Sequence, residues 1–342
     1  MTATSLVARR TPIYGLALLV LVVTLGCGAA IGETSIPFDV VAKTVANKLW
    51  QAGYALDPID QGIVWNYRLS RAIIAACCGA SLALSGVVLQ CLLRNALADP
   101  YLLGISAGAS SGAVAVAILG LGAGILSFSF GAFIGAIIAF GIVSLLAARA
   151  GSGTAAIILA GIAGSQLFNA LTSFMVTKSA TAEQARGIMF WLLGNLSGVR
   201  WTDVTLALPV TLLGFVVCIT HARSLDAFAF GADAAASLGL AVKRIYAVLI
   251  TAAALMTAIM VSLVGSIGFV GLVIPHAARM IVGVRHSRLL PVAALIGAVF
   301  MVLADILSRI AIPGQVLPIG VVTALIGAPA FALLLGRRGS TR

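Results

Sequence analysis

Polar residues able to do chemistry are few in this chain, and they gather at the ends of apolar runs. The stretch Gly79–Ala109 carries Gln90, then Arg94-Asn95, then Asp99-Pro100, among residues that are otherwise small or apolar. Gly79, Ala83, Gly86 and Gln90 recur at steps of four, three and four, so they share one helix face. Small residues on a face let a second helix approach closely in lipid, and Gln90 there is expected to be buried in protein. Asp99 has the chemistry of an N-cap, with proline at the first helical position after it. Upstream, Arg68 and Arg71 stand one helical turn apart at the edge of an apolar run. Downstream, Ser262–Arg279 is glycine-rich and contains Pro275-His276; the proline removes a backbone donor, and the glycines permit close packing or unwinding. His276 can be read as a haem ligand or as a local backbone tie, and its place near a span end favours the tie. These groups can cap, pair and hydrogen-bond. They do not form a nucleophile with its base. The spans contain no H-E-x-x-H or paired-aspartate motif, which argues against a membrane enzyme. The chain has no G-x-x-x-x-G-K-[ST] with which to cradle nucleotide phosphates.

The elements that must position these residues follow from hydropathy. Hydrophobic residues make up 61% of the 342, charged residues only 9%, and mean hydropathy is +1.15, values no water-soluble core could hide. An all-α polytopic membrane protein of about ten spans is expected, built as a single transmembrane domain over residues 1–342. The spans are read as about Ile13–Ile31, Arg68–Leu93, Asp99–Leu119, Gly124–Ala147 and a fifth from Thr154 to Thr177. The later ones are Trp201–His221, Ile245–Val264, Ile267–Val282, Leu289–Ile310 and Gln315–Leu335. A short amphiphilic piece, Glu183–Leu196, is too short to cross, and Gly32–Trp65 is polar and expected outside. The formal charge of +11 does not indicate nucleic acid, because the basic residues are scattered singly between apolar runs. They orient the chain instead. Arg9-Arg10 at one end, and Arg337, Arg338 and Arg342 at the other, are expected to place both termini on the cytoplasmic side of the membrane. The five cysteines all lie in apolar segments and are read as core residues, with no metal site.

The order G-x-x-L-A-x-S-G-x-x-x-Q-x-x-x-R-N-x-L-A-D-P-x-L-L-G, from Gly79 to Gly104, resembles the FecCD-type permeases of type II ABC importers, which take up haem, ferric siderophores or cobalamin. The likeness runs from about Trp65 to Leu335 and includes Arg68-Leu-Ser-Arg71, Phe190-Trp-Leu-Leu-Gly194, Pro275-His276 and Leu317–Thr323. Alanine at Ala96, serine at Ser70 and glutamine at Gln315 depart from the family pattern, which has proline, proline and glutamate there. The resemblance implies a homodimer with two ATPase subunits and a periplasmic substrate-binding protein. It implies that Arg68, Arg71 and Arg309 dock the binding protein, although Asp305, four residues before Arg309, can pair with it instead. Asn95, Leu97, Gly153 and Thr154 are implied to close the cytoplasmic end of the path. In Leu225–Leu240, the small residues and glycines suit two short helices about Gly231, flanked by basic residues. The resemblance makes this segment the ATPase coupling site, with Gly231, Ala232, Ala234, Ala235, Ser237, Leu238 and Gly239.

The path is expected at the dimer interface, with Gln90, Met175, Arg186 and Met189 along it. Its wall reads as mostly small, apolar and hydroxyl side chains, which suits haem, with Arg186 resembling an arginine that haem permeases carry near the entrance. Siderophore or cobalamin is the alternative. No cofactor is expected to stay bound to this chain; haem enters as substrate, and ATP belongs to the partner subunit. On composition alone an ion-coupled secondary transporter competes, but it needs ionisable groups near the midplane, and here these thin out to Gln90, Asn169 and scattered hydroxyls.

Overall fold

A computed structural model describes residues 3–119, 127–151, 153–179 and 181–339, and only the backbone for residues 3–14, 119, 179 and 334–339. Gly124 and Arg342 of the sequence reading lie outside the described residues, as do the side chains of Arg9, Arg10, Arg337 and Arg338. The chain is all-α. Its helices are α1 (Ala3–Ala30), α2 (Phe38–Trp50), α3 (Pro58–Gly62), α4 (Ser70–Leu92), α5 (Ile105–Leu119), α6 (Phe128–Arg149), α7 (Thr154–Ser179) and α8 (Ala182–Leu192). They continue with α9 (Trp201–Thr220), α10 (Ala222–Phe228), α11 (Ala232–Ser237), α12 (Val242–Val264), α13 (Val270–Val282), α14 (His286–Ile310) and α15 (Ile319–Gly339). A π turn over Ile63–Leu69 joins α3 to α4, and a 3-10 turn over Pro100–Leu103 precedes α5. Among the described residues, six helical stretches are long and apolar enough to cross a bilayer: Pro58–Leu92, α6, most of α7, α9, α12 and α14. Shorter apolar helices, within α1, α5, α13 and α15, fall where the other four spans are expected.

Helix α4 is the axis of the bundle. It has no charge after Arg71, and all but one of its residues are buried. It packs against α14, α12, α9 and α13. Two glycines on the face identified from the sequence set the closest approaches. A Cβ on Gly79 would strike the carbonyl oxygen of Gly297 on α14, and one on Gly86 would strike that of Gly271 on α13. Backbone meets backbone at both points, which is how helices without a hydrophobic drive between them gain contact area in lipid. The outer surface is apolar, with Leu16, Leu19, Leu212, Leu213 and Leu333 all exposed, as a bilayer- or partner-facing surface requires.

Element boundaries differ from the sequence reading in instructive ways. Asp99 caps the 3-10 turn by accepting the Tyr101 N–H at 2.8 Å, so α5 itself starts only after Gly104, whose φ is +74°. Helix α13 starts three residues later than expected because residues 265–269 are not helical. That break is held by Tyr101, whose hydroxyl donates to the Ile267 carbonyl at 2.9 Å and accepts the Ile267 N–H at 2.8 Å. The polar segment after α1 contains α2, a helix not anticipated, in which Asp39 and Lys43 pair at 2.9 Å.

Candidate functional site

At the end of the bundle where α1 stops and α4 begins, three arginines lie close together, two of them on α1. The last carbonyls of a helix have no intrahelical partner and lie at the negative end of its dipole. Here they are bonded by cations: Arg68 donates to Ala30 O at 2.8 Å, and Arg309 to Gly28 O at 2.9 Å and to Ile31 O at 2.8 Å. Arg68 also donates to the Thr34 hydroxyl at 2.9 Å. Arg71 meets Asp305 at 2.6 Å and Ser197 at 3.1 Å. Asp305, fully buried, lies 3.0 Å from Arg309 as well, but too far off line for a hydrogen bond. Arg68, Arg71 and Arg309, the expected docking set, are each at most 9% exposed and bonded within the chain. The π turn at Ile63–Leu69 breaks the α-helical spacing between Arg68 and Arg71, so they serve different partners.

Gln90, expected to be buried in protein and also named along the path, ties α4 to α13. Pro275 has no N–H to give the Gly271 carbonyl four residues before it. Gln90 takes that carbonyl, with its Nε2 3.3 Å from both Gly271 O and Leu272 O, while its Oε1 accepts from Arg279 at 2.5 Å. His276 belongs to the same contact, with its Nδ1 3.0 Å from Leu272 O. Met175 is likewise buried, packed against Val114 and Ile188. Met189, 61% exposed, and Arg186 lie open on α8. Among the described residues, no ion pair reaches Arg186, and Glu183 does not approach it within 4 Å.

The opposite end holds the implied gate and coupling residues. The turn after α4 closes without the family's proline: Asn95 accepts the Leu97 N–H on its side chain at 2.9 Å and the Ala98 N–H on its carbonyl at 3.0 Å. Leu97 is left 53% exposed at the tip. Gly153 and Thr154 are exposed at the start of α7. The coupling segment forms the two expected short helices, α10 and α11, about Gly231, whose φ of +110° suits glycine. Gly239 ends the second with φ +80°. The outward residues are Ala232, Ser237 and Leu238, with Ala234 half-buried, and Phe230 and Leu238 are 80% and 72% exposed. Ala235, also named in the expected contact set, is fully buried inside this chain. Beside α10 a cleft of about 610 Å³ is lined by Arg94, Arg279, Arg285 and Phe230.

A third feature escaped the sequence reading as a unit. A cavity of about 480 Å³ lies between α5, α7 and the break before α13, lined by Tyr101, Ser106, Ser110, Ser165, Asn169, Thr172, Ser173 and Ser266. Ser106 and Ser266 bond to each other at 2.9 Å across it. The only signal for it in the sequence is hydroxyls at helical spacing on two different helices. These mark one wall only once the helices are paired.

The FecCD transport family matches residues 18–337. The chain belongs to that family. Its relatives include the cobalamin import system permease protein of Halobacterium salinarum, 44% identical over 279 residues, covering 81% of this chain and 74% of the relative. The Fe(3+) dicitrate transport system permease protein of Escherichia coli is 37% identical over 290 residues, covering 84% and 88%. A solved ABC transporter structure assigned to the metal-chelate type, in an inward-facing conformation, superposes with a TM-score of 0.82 at 32% identity, over 96% of this chain and 99% of the other. The FecCD chain thus has the type II importer permease fold, and it is a multi-pass transport permease.

Proposed function

We propose that this FecCD permease forms, with a second copy of itself, the path by which an ABC importer carries a cobalamin-like metal chelate, with ferric citrate-type chelates as the second reading. The observation that carries the substrate class is the cavity of about 480 Å³ on α5 and α7, whose wall is dominated by hydroxyls and the Asn169 amide. A corrinoid edged with amides, or a ferric chelate edged with carboxylates, can exchange hydrogen bonds along such a wall without being held by a strong ligand. Haem, which the sequence reading favours, offers polar groups only at its propionates. The names of the relatives point the same way.

In this reading ATP is hydrolysed on two separate ATPase chains. They seat against α10, α11 and the exposed Phe230 and Leu238. A binding protein delivers substrate to the end of the bundle that holds Arg186 and Met189. The cytoplasmic gate comprises Asn95, Leu97, Gly153 and Thr154 from both copies. The chain sits in the cytoplasmic membrane with both termini inside. The test is reconstitution with the cognate ATPase and binding protein in liposomes, comparing cobalamin, ferric citrate and haem. Cobalamin is expected to stimulate ATP hydrolysis and to enter, and Asn169→Leu to lower its entry. Entry of haem alone overturns the substrate and leaves the permease role standing.

A further inference from the structure

A second groove lies at the coupling end of the bundle, on the flank between α6 and α12. It measures about 530 Å³, and its wall includes Leu103, Val143, Ala147, Ile157, Tyr246 and Ile250. Lys243 stands at the groove, and Ala232, the first residue of α11, closes one side. Its wall is otherwise mostly apolar, and an apolar slot of this size suits a hydrocarbon chain better than a polar solute.

Basic residues gather beside the groove, with Asp233 the exposed acid next to Ala232. Lys243 and Arg244 fall in the first turn of α12, which has no acid, and Arg149 ends α6. All three are exposed, and among the described residues none of them is in an ion pair. Cations in the first turn of a helix oppose its dipole, so an anion placed there relieves both unfavourable interactions. Anionic lipid is abundant at cytoplasmic membrane surfaces, and basic sites between membrane helices hold its headgroups.

We propose that this groove binds one anionic phospholipid, its acyl chain between α6 and α12 and its phosphate at Lys243 and Arg244. The lipid then touches Ala232, so it braces the segment on which the ATPase seats. The inference rests on reading the α10–α11 end as cytoplasmic.

The test uses the full importer complex in nanodiscs of phosphatidylcholine doped with phosphatidylglycerol, with native mass spectrometry of retained lipid and ATPase rates as readouts. Wild type is expected to retain phosphatidylglycerol in preference to phosphatidylcholine, and to hydrolyse ATP faster as its fraction rises. Lys243→Ala and Arg244→Ala should each lower the preference about fivefold, the effect expected of one cation near a charged surface. Ser144→Trp and Ala247→Trp, which fill the groove and leave the cations in place, should displace the lipid. Millimolar glycerol phosphate should neither compete nor substitute, which separates lipid from free phosphate. Equal retention of both lipids by wild type, unchanged retention in a folded Ser144→Trp variant, or cross-linking of Ser144→Cys to its own copy would each overturn the proposal. Co-purification of the ATPase reports separately on the coupling surface, so its loss would count against that reading alone.

Discussion

Asp226 on α10 caps α14: its carboxylate accepts the main-chain N–H of His286 at 2.9 Å and lies 2.7 Å from the His286 ring Nδ1. Arg285, at the N-cap position, offers no side-chain acceptor, so a residue sixty positions earlier does the capping. Helix α10, proposed to seat the ATPase, is thereby fastened to the start of the helix that packs along α4. A push on α10 from an ATPase subunit has a direct route into the core.

Asp226→Ala should cost roughly 1–2 kcal/mol through loss of the cap and its charge-assisted bond. It should also lower transport per ATP hydrolysed more than it lowers hydrolysis. Asp226→Asn keeps an acceptor and should retain most of both. Thermal unfolding in detergent, paired with transport-to-hydrolysis ratios in liposomes, checks the order.

Gly79 and Gly297 allow α4 and α14 to touch through their backbones. Gly79→Val should destabilise the permease by about 1–3 kcal/mol, because the obstacle is a carbonyl that cannot rotate away. Gly141→Ala, where nothing lies within 4 Å of the added methyl, should keep or slightly raise the unfolding midpoint. Equal midpoints for Gly79→Val and wild type would show that the close approach carries no load.

Asp305 balances Arg71 and Arg309 at a fully buried position. Asp305→Asn should leave two guanidinium groups facing a neutral amide and destabilise by about 3–5 kcal/mol. Arg71→Glu sets two carboxylates together and should reduce folded yield before any effect on binding-protein association can be read. Size-exclusion profiles and folded yield decide this, and normal yield for Arg71→Glu would restore the docking role to that arginine.

Burial raises the Asp99 carboxyl from its ordinary 3.8 to about 6, against the opposing pull of the Tyr101 N–H. A carboxyl raised on folding binds its proton more tightly in the folded chain. Its contribution to stability is therefore complete below about pH 4 and is lost as pH rises through 6. Asp99→Asn keeps the cap and has no charge to bury, so its unfolding midpoint should vary less than wild type between pH 4 and 6. Parallel pH profiles for the two proteins would refute this.

Several features were legible in the residues alone because they depend on local properties. Apolar run lengths determined the ten membrane helices, since each span must satisfy its own backbone bonds in lipid. The four-three-four spacing of Gly79, Ala83, Gly86 and Gln90 marked the face of closest helix contact, and Gly231 marked the joint between α10 and α11. What the side chains on those elements do was decided by tertiary structure. Arg68, Arg71 and Arg309 read as surface cations until the end of α1 presents its unpaired carbonyls to Arg68 and Arg309 and Asp305 comes to lie between Arg71 and Arg309. Gln90 reads as a path residue until Pro275, 185 positions later, leaves a carbonyl for it to bond. Ala234 and Ala235 are adjacent and alike, yet only the fold buries the second completely. The hydroxyl-lined cavity exists only where α5, α7 and the break before α13 meet. Hydropathy and backbone preference act within a few residues, whereas the partner of a polar group is set by which distant backbone is brought against it.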